Sequence, residues 1–155
     1  MKNQVLLLIL AIVVGVMIVV LAMSNKEEKV MENDGQNEVG EETKILLYFT
    51  DQAKEKLVQE YRNVSLNDVK ENVYETIVKE LIKGPVSSDY VATLPADTKI
   101  NAIQKEGNKV IVDLSEEVSE LYQIYSIVNS LTEVKEVDEV EIRVNGNTVT
   151  TEKRV

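Results

Sequence analysis

The chain has no cysteine and no histidine among its 155 residues. Without cysteine there is no disulfide, no thiolate nucleophile and no thiolate metal site. Without histidine the commonest general base and the commonest transition-metal ligand are missing. Glycine and proline are sparse as well, at six and two residues. No glycine-rich stretch matches a phosphate cradle, and no Asp-x-Asp-x-Asp-Gly loop offers calcium ligands. Positive charge is in deficit: 17 lysines and arginines face 27 aspartates and glutamates, a net of −10. With no dense basic cluster, that balance argues against binding a phosphate backbone, and so against nucleic acid. Two carboxylates suffice for glycoside hydrolysis, but the acids here fall mostly at solvent-facing positions of helices and hairpins. The expectation is a protein that is not an enzyme and holds no metal and no cofactor.

What the sequence does have is an apolar run from Val5 to Met23, nineteen residues without a charge. Val5, Leu6, Leu7, Leu8, Ile9 and Leu10 open it. Ile12, Val13 and Val14 follow, and Val16, Met17, Ile18, Val19, Val20 and Leu21 continue beyond Gly15. As a helix the run is about 28 Å long, close to the roughly 30 Å hydrocarbon core of a bilayer. A cleaved signal peptide has an apolar stretch of about 7–15 residues and small residues before the cut. Ala22 and Ser24 offer such residues, but the run is long for a signal, and residues 1–23 are expected to stay as a transmembrane signal-anchor. Lys2 lies on one side, Lys26 and Lys29 on the other, so the positive-inside rule is weakly expressed. A long C-terminal part translocates behind an N-terminal anchor largely regardless of charge. The expected topology is N-terminus in the cytoplasm and bulk outside.

Residues 24–43 follow as a linker, with seven acids against Lys26 and Lys29. Its few apolar residues, Val30, Met31 and Val39, cannot bury enough surface to offset ordering entropy, so a disordered tether is expected. The last 112 residues, 44–155, are long enough for one domain with its own core.

Within that domain the periodicities predict a β-β-α-β-β-α-β order. Lys44–Thr50 and Lys56–Val64 make two strands around a polar turn. Ser65 caps a helix whose stripe is Leu66, Val69, Val73, Ile77 and Leu81, and Gly84-Pro85 stops it. A loop over 86–97 leads to a hairpin, Thr98–Glu106 and Lys109–Asp113. There Val110, Val112 and Leu114 alternate with Lys109, Ile111 and Asp113. Ser115 is placed as the next N-cap, with Glu116 and Glu117 in the first turn, for a helix reaching Thr132. Val137–Val144, the Asn145-Gly146 turn and Asn147–Thr151 close the chain. The fold class expected is α+β, a two-layer sandwich with both helices on one face of a small mixed or antiparallel sheet, preceded by the transmembrane helix.

Several blocks carry a family likeness: Leu81-Ile82-Lys83-Gly84-Pro85, Thr93-Leu94-Pro95-Ala96-Asp97-Thr98, Val112-Asp113-Leu114-Ser115-Glu116-Glu117 and Ile127-Val128-Asn129-Ser130-Leu131-Thr132-Glu133. In this order and spacing they resemble the GerMN domain of sporulation and spore germination proteins, and Val140–Gly146 resembles its closing strand and turn. The resemblance spans about Lys44 to Thr151. It implies an extracytoplasmic domain on the outer face of a Gram-positive-type membrane. It also implies kinship in fold with ring-building modules between mother cell and forespore, which are interaction domains without known catalysis. Relatives are often lipidated at a cysteine, where this chain has Ser24, so the apolar helix would be the anchor. The family's namesake has two copies of the domain and this chain one.

Candidate contact residues follow from polar or aromatic positions in these blocks. Asp113 and Ser115 flank the expected helix start as caps, and the backbone amides there would suit an anionic ligand. Asn129 and Ser130 are polar on an apolar helix, either to satisfy buried backbone groups or to line a contact site. Tyr48, Tyr61, Tyr74, Tyr90, Tyr122 and Tyr125 suit half-buried positions with a wet hydroxyl, and Tyr90, in its loop, is the best candidate for an exposed anchor. The expected function is a membrane-tethered interaction module of the cell envelope that docks copies of itself or envelope proteins. The alternative is a binder of a small envelope ligand such as a peptidoglycan fragment, in a pocket near Asp113, Ser115 and Asn129.

Overall fold

Ile45, Leu47 and Phe49 alternate along the first strand, β1 (Glu42–Asp51), and all three are buried. The structure is a computed structural model that describes residues 40–154. The expected membrane anchor and the linker as far as residue 39 lie outside the described residues. Among those described, no helix is long and apolar enough to cross a membrane. The stretch expected to be linker ends sooner than its sequence suggests, because Glu42 and Thr43 pair with Ser65 and Val64.

After β1 come β2 (Leu57–Ser65), α1 (Leu66–Lys83), β3 (Tyr90–Val91), β4 (Ile100–Glu106), β5 (Lys109–Leu114), α2 (Leu121–Leu131), β6 (Glu139–Val144) and β7 (Asn147–Lys153). The strands form two sheets rather than the single one expected. The first is antiparallel in the order β2-β1-β3, and the second is mixed, β4-β5-β6-β7, with β5 and β6 parallel. One apolar core nevertheless joins them. Leu47 and Phe49, Val78 and Leu81 of α1, Val112 and Leu114 of β5, Ile127 and Leu131 of α2, and Ile142 of β6 belong to one buried cluster. Each such side chain contributes about 1.5–3 kcal/mol on leaving water.

Helix α1 starts and stops as its sequence predicts. The Ser65 hydroxyl accepts from the Asp68 N–H, and Gly84, at φ 81°, ends the helix with its N–H donating to the Leu81 carbonyl. The helix is not continuous, however. Asn72 takes an extended conformation (φ −157°, ψ 95°), and its Oδ1 accepts the Glu75 N–H at 3.1 Å. Asparagine competes for nearby backbone donors, and here it caps the second segment of the helix afresh. The Thr76 hydroxyl donates to the Asn72 carbonyl at 2.9 Å and lies 3.1 Å from that of Asp68.

Helix α2 begins five residues later than the Ser115 cap would place it. Its N-cap is Glu120, in a reciprocal capping box with Gln123. Ser115 is unavailable for capping because it closes the β4–β5 hairpin: its N–H donates to the Lys99 carbonyl and its Oγ accepts the Lys99 N–H, both at 2.9 Å. Val118, buried in the segment between, anchors that segment to the core. The Asn145-Gly146 turn, with φ 48° and 82°, closes the β6–β7 hairpin as expected.

Candidate functional site

Strand β1 has β2 along one edge, whereas β3 reaches only Thr50 and Asp51 on the other. Helix α2 occupies part of the gap. The Tyr48 N–H donates to Ser130 Oγ at 3.0 Å, and the Ser126 hydroxyl donates to the Tyr48 carbonyl. The Thr93 hydroxyl then donates to Ser126 at 2.7 Å, and Ser130 donates to the Ser126 carbonyl. Both serines are fully buried. Two side chains one helical turn apart thus stand in for a neighbouring strand. Below them the Tyr48 hydroxyl donates to Glu133 at 2.7 Å and accepts from Gln59 and Arg154. Burial, then the bond to Glu133, raises the Tyr48 pKa above its ordinary 10.0.

On the far side of the same sheet, Arg62 lies almost buried over the Phe49 ring and pairs with Glu60 and Glu80. It also donates to the carbonyls of Glu80 and Gly84, at 3.1 and 2.9 Å. Glu60 in turn accepts the N–H groups of Val86 and Ser87. Burial opposes the charge of Glu60, but those two amides and Arg62 outweigh it and lower its pKa from the ordinary 4.5. This cluster fixes the end of α1 and the chain beyond Gly84 against β2. Sequence reasoning missed it; the only signal was two opposite charges on the inward face of a strand.

Two open grooves result. The larger, about 460 Å³, lies between the β1–β2 turn and the start of α2, lined by Lys54, Lys56, Leu57, Leu121, Tyr122, Tyr125 and Asn129 among others. Lys54 sits in the left-handed region (φ 58°) and places its ammonium 5.2 Å from the centre of the Tyr122 ring. Leu121 is 69% exposed at the rim. The second groove, about 340 Å³, follows the N-terminal half of β1 and is walled by Val69, Val73 and Ile77 of α1 and Ser130, Glu133 and Val134.

The predicted contact residues are dispersed over these features. Ser130 serves the buried backbone of β1. Asn129, also largely buried, lines the larger groove. Asp113 and Ser115 meet instead at the β6–β7 turn, where Asp113 accepts the Gly146 N–H at 3.1 Å and Asn145 donates to the Ser115 carbonyl at 3.2 Å. The structure therefore does not gather Asp113, Ser115 and Asn129 into one groove. Tyr90 is half-buried against the core, and the exposed tyrosine is Tyr61, at 70%. Ser126 was overlooked, although its spacing of four from Ser130 on an apolar helix was a usable signal.

A family model described as Germane, sporulation and spore germination, matches residues 46–150, from within β1 to within β7. The chain belongs to that family. Its fold is similar to the tandem GerMN domains of the sporulation protein GerM from Bacillus subtilis, at TM-score 0.65 and 19% identity, over 80% of this chain and 50% of that one. It is also similar to the first GerMN domain of the same protein, at TM-score 0.58 and 22% identity, over 69% of this chain and 86% of that one. The Germane chain thus spans half the length of the tandem structure. No curated protein matches it at a significant level.

Proposed function

We propose that this Germane-family chain is a non-catalytic, extracytoplasmic protein-interaction module of the bacterial cell envelope, working in sporulation or spore germination. Residues 1–23 hold it in the membrane with the N-terminus in the cytoplasm. The acidic stretch up to β1 is the tether, and the domain over 44–155 docks partners or further copies. The observation that carries this reading is the groove at the start of α2. Leu121 is exposed there beside Tyr122 and Tyr125, under the Lys54 ammonium. Aliphatic and aromatic side chains gathered in a concave, partly exposed patch are the usual anchors of protein interfaces.

The test is capture by the full-length chain from detergent-solubilised envelopes of sporulating cells, with lysine cross-linking to place the contact. Leu121→Asp puts a charge at the rim without touching the core. It is expected to reduce capture and self-association at least tenfold at unchanged circular dichroism. Undiminished capture by that variant would remove the groove from the account.

A further inference from the structure

The N-terminal half of β1 has an edge that no strand covers among the described residues. In an antiparallel ladder, alternate residues turn both backbone groups to the same edge. Tyr48 turns its N–H and C=O away from β2, toward Ser130 and Ser126, so Leu46 and Lys44 turn theirs the same way. The serines stop at Tyr48. Beyond them the edge opens into the 340 Å³ groove, whose far wall is Val69, Val73 and Ile77. Lys44 is exposed at its mouth and makes no ion pair among the described residues.

The opposite edge of this sheet is protected. Glu60 and Arg62 point inward on β2, and Glu60 holds the Val86–Ser87 backbone beside it. Inward charges and a covering loop are the usual means of blocking strand pairing. Among the described residues the corresponding half-edge of β1 has neither, and it borders Val69, Val73 and Ile77, with Glu133 also lining the groove.

From this juxtaposition we infer that β1 takes up an extended segment of a partner polypeptide by strand addition. The incoming backbone pairs at Lys44 and Leu46, and its apolar side chains enter the groove against Val69, Val73 and Val134. A carboxylate of the segment lies beside Lys44. Main-chain bonds supply affinity in this mode and the pockets supply selectivity. The inference rests on the reading of the domain as an interaction module, but it uses a surface distinct from the groove at Leu121.

Amide hydrogen exchange on the full-length chain tests the edge without any partner. Lys44 and Leu46 are expected to exchange at least a hundredfold faster than Ile45, Leu47 and Tyr48. Slow exchange at Leu46 independent of protein concentration would mean that the chain's own preceding segment fills the edge. Protection that grows with concentration would mean a second copy does, and either result overturns the proposal. The probe for occupancy is a synthetic peptide of alternating valine and threonine with one terminal aspartate. It is expected to slow Leu46 exchange at least tenfold, while the same peptide with alternate amides N-methylated leaves it unchanged. Leu46→Pro removes an edge N–H that makes no bond to β2, and Val73→Asp charges the groove while leaving the edge intact. Both should abolish binding, read by peptide fluorescence anisotropy. No protection by the peptide, or equal binding to the N-methylated peptide or to Leu46→Pro, overturns strand addition. A loss of capture confined to Leu121→Asp bears on the other groove alone.

Discussion

Ser130 Oγ accepts the backbone N–H of Tyr48 at 3.0 Å, across 82 residues of sequence. With Ser126 on the carbonyl of the same residue, it satisfies both backbone groups at a buried point of β1 where no strand among the described residues pairs. On the same edge of β1, β3 pairs only at Thr50 and Asp51.

Ser130→Ala leaves the Tyr48 N–H buried without its partner. A buried donor left unsatisfied costs about 1–3 kcal/mol, so a loss in that range is expected in urea unfolding. Ser126→Ala should cost a similar amount. Because both serines serve one residue, the double variant should lose less than the summed single losses. Strict additivity would show that the two contacts are independent.

Arg62→Ala is expected to be among the most damaging single changes on β2, at about 3–5 kcal/mol, because Glu60 then remains largely buried without its counter-charge and Glu80 keeps only Lys83. Thermal unfolding of Arg62→Ala beside Lys79→Ala checks this. Lys79 pairs with Glu75 on the exposed face of α1, and its loss should be near neutral.

Acid should destabilise the second sheet through Glu141. Hydrogen bonds from Lys109 and then Arg143 lower its pKa from 4.5 to about 2. The folded form therefore binds this proton less readily than the unfolded chain. Its contribution to stability is complete above pH 4.5 and declines as pH falls toward about 2. The lowered pKa of Glu60 acts in the same direction. Urea midpoints between pH 5 and 2 should fall less steeply for Glu141→Gln than for the parent chain. Equal slopes would mean that Glu141 carries none of the acid sensitivity.

Asn72→Ala removes the side chain that caps the second segment of α1. A lost N-cap costs about 0.5–2 kcal/mol, and Asn72→Asp, which keeps the acceptor, should restore most of it. Failure of aspartate to rescue would separate the break in the helix from its cap.

Much of the domain was legible along the chain because its signals are local. The alternation of Val110, Val112 and Leu114, the Ser65 cap, the Gly84-Pro85 stop and the Asn145-Gly146 turn each act within a few residues, and each is found where periodicity and turn chemistry place it. Ser115 looked equally local, a hydroxyl before two glutamates. Its oxygen instead serves Lys99, sixteen residues back, so α2 starts at Leu121. The contact residues were less legible still. Of Asp113 and Asn129, sixteen residues apart, one holds the Gly146 turn and the other lines the groove by Tyr125.

The sequence by itself determined the longer strands, the first helix and the family blocks, since periodicity and caps depend on neighbours in the chain. It did not determine β3, which falls in the expected 86–97 loop, nor the start of α2. It also carries the charge-free run at the N-terminus and the acidic stretch after it. Tertiary structure alone decided the division into two sheets, the Arg62 cluster and the two grooves. These depend on which backbone groups remain unpaired once distant elements meet. Tyr48 could be assigned to a strand from its neighbours, but that its edge belongs to Ser126 and Ser130, and that the edge stays open at Leu46, follows only from where α2 comes to lie.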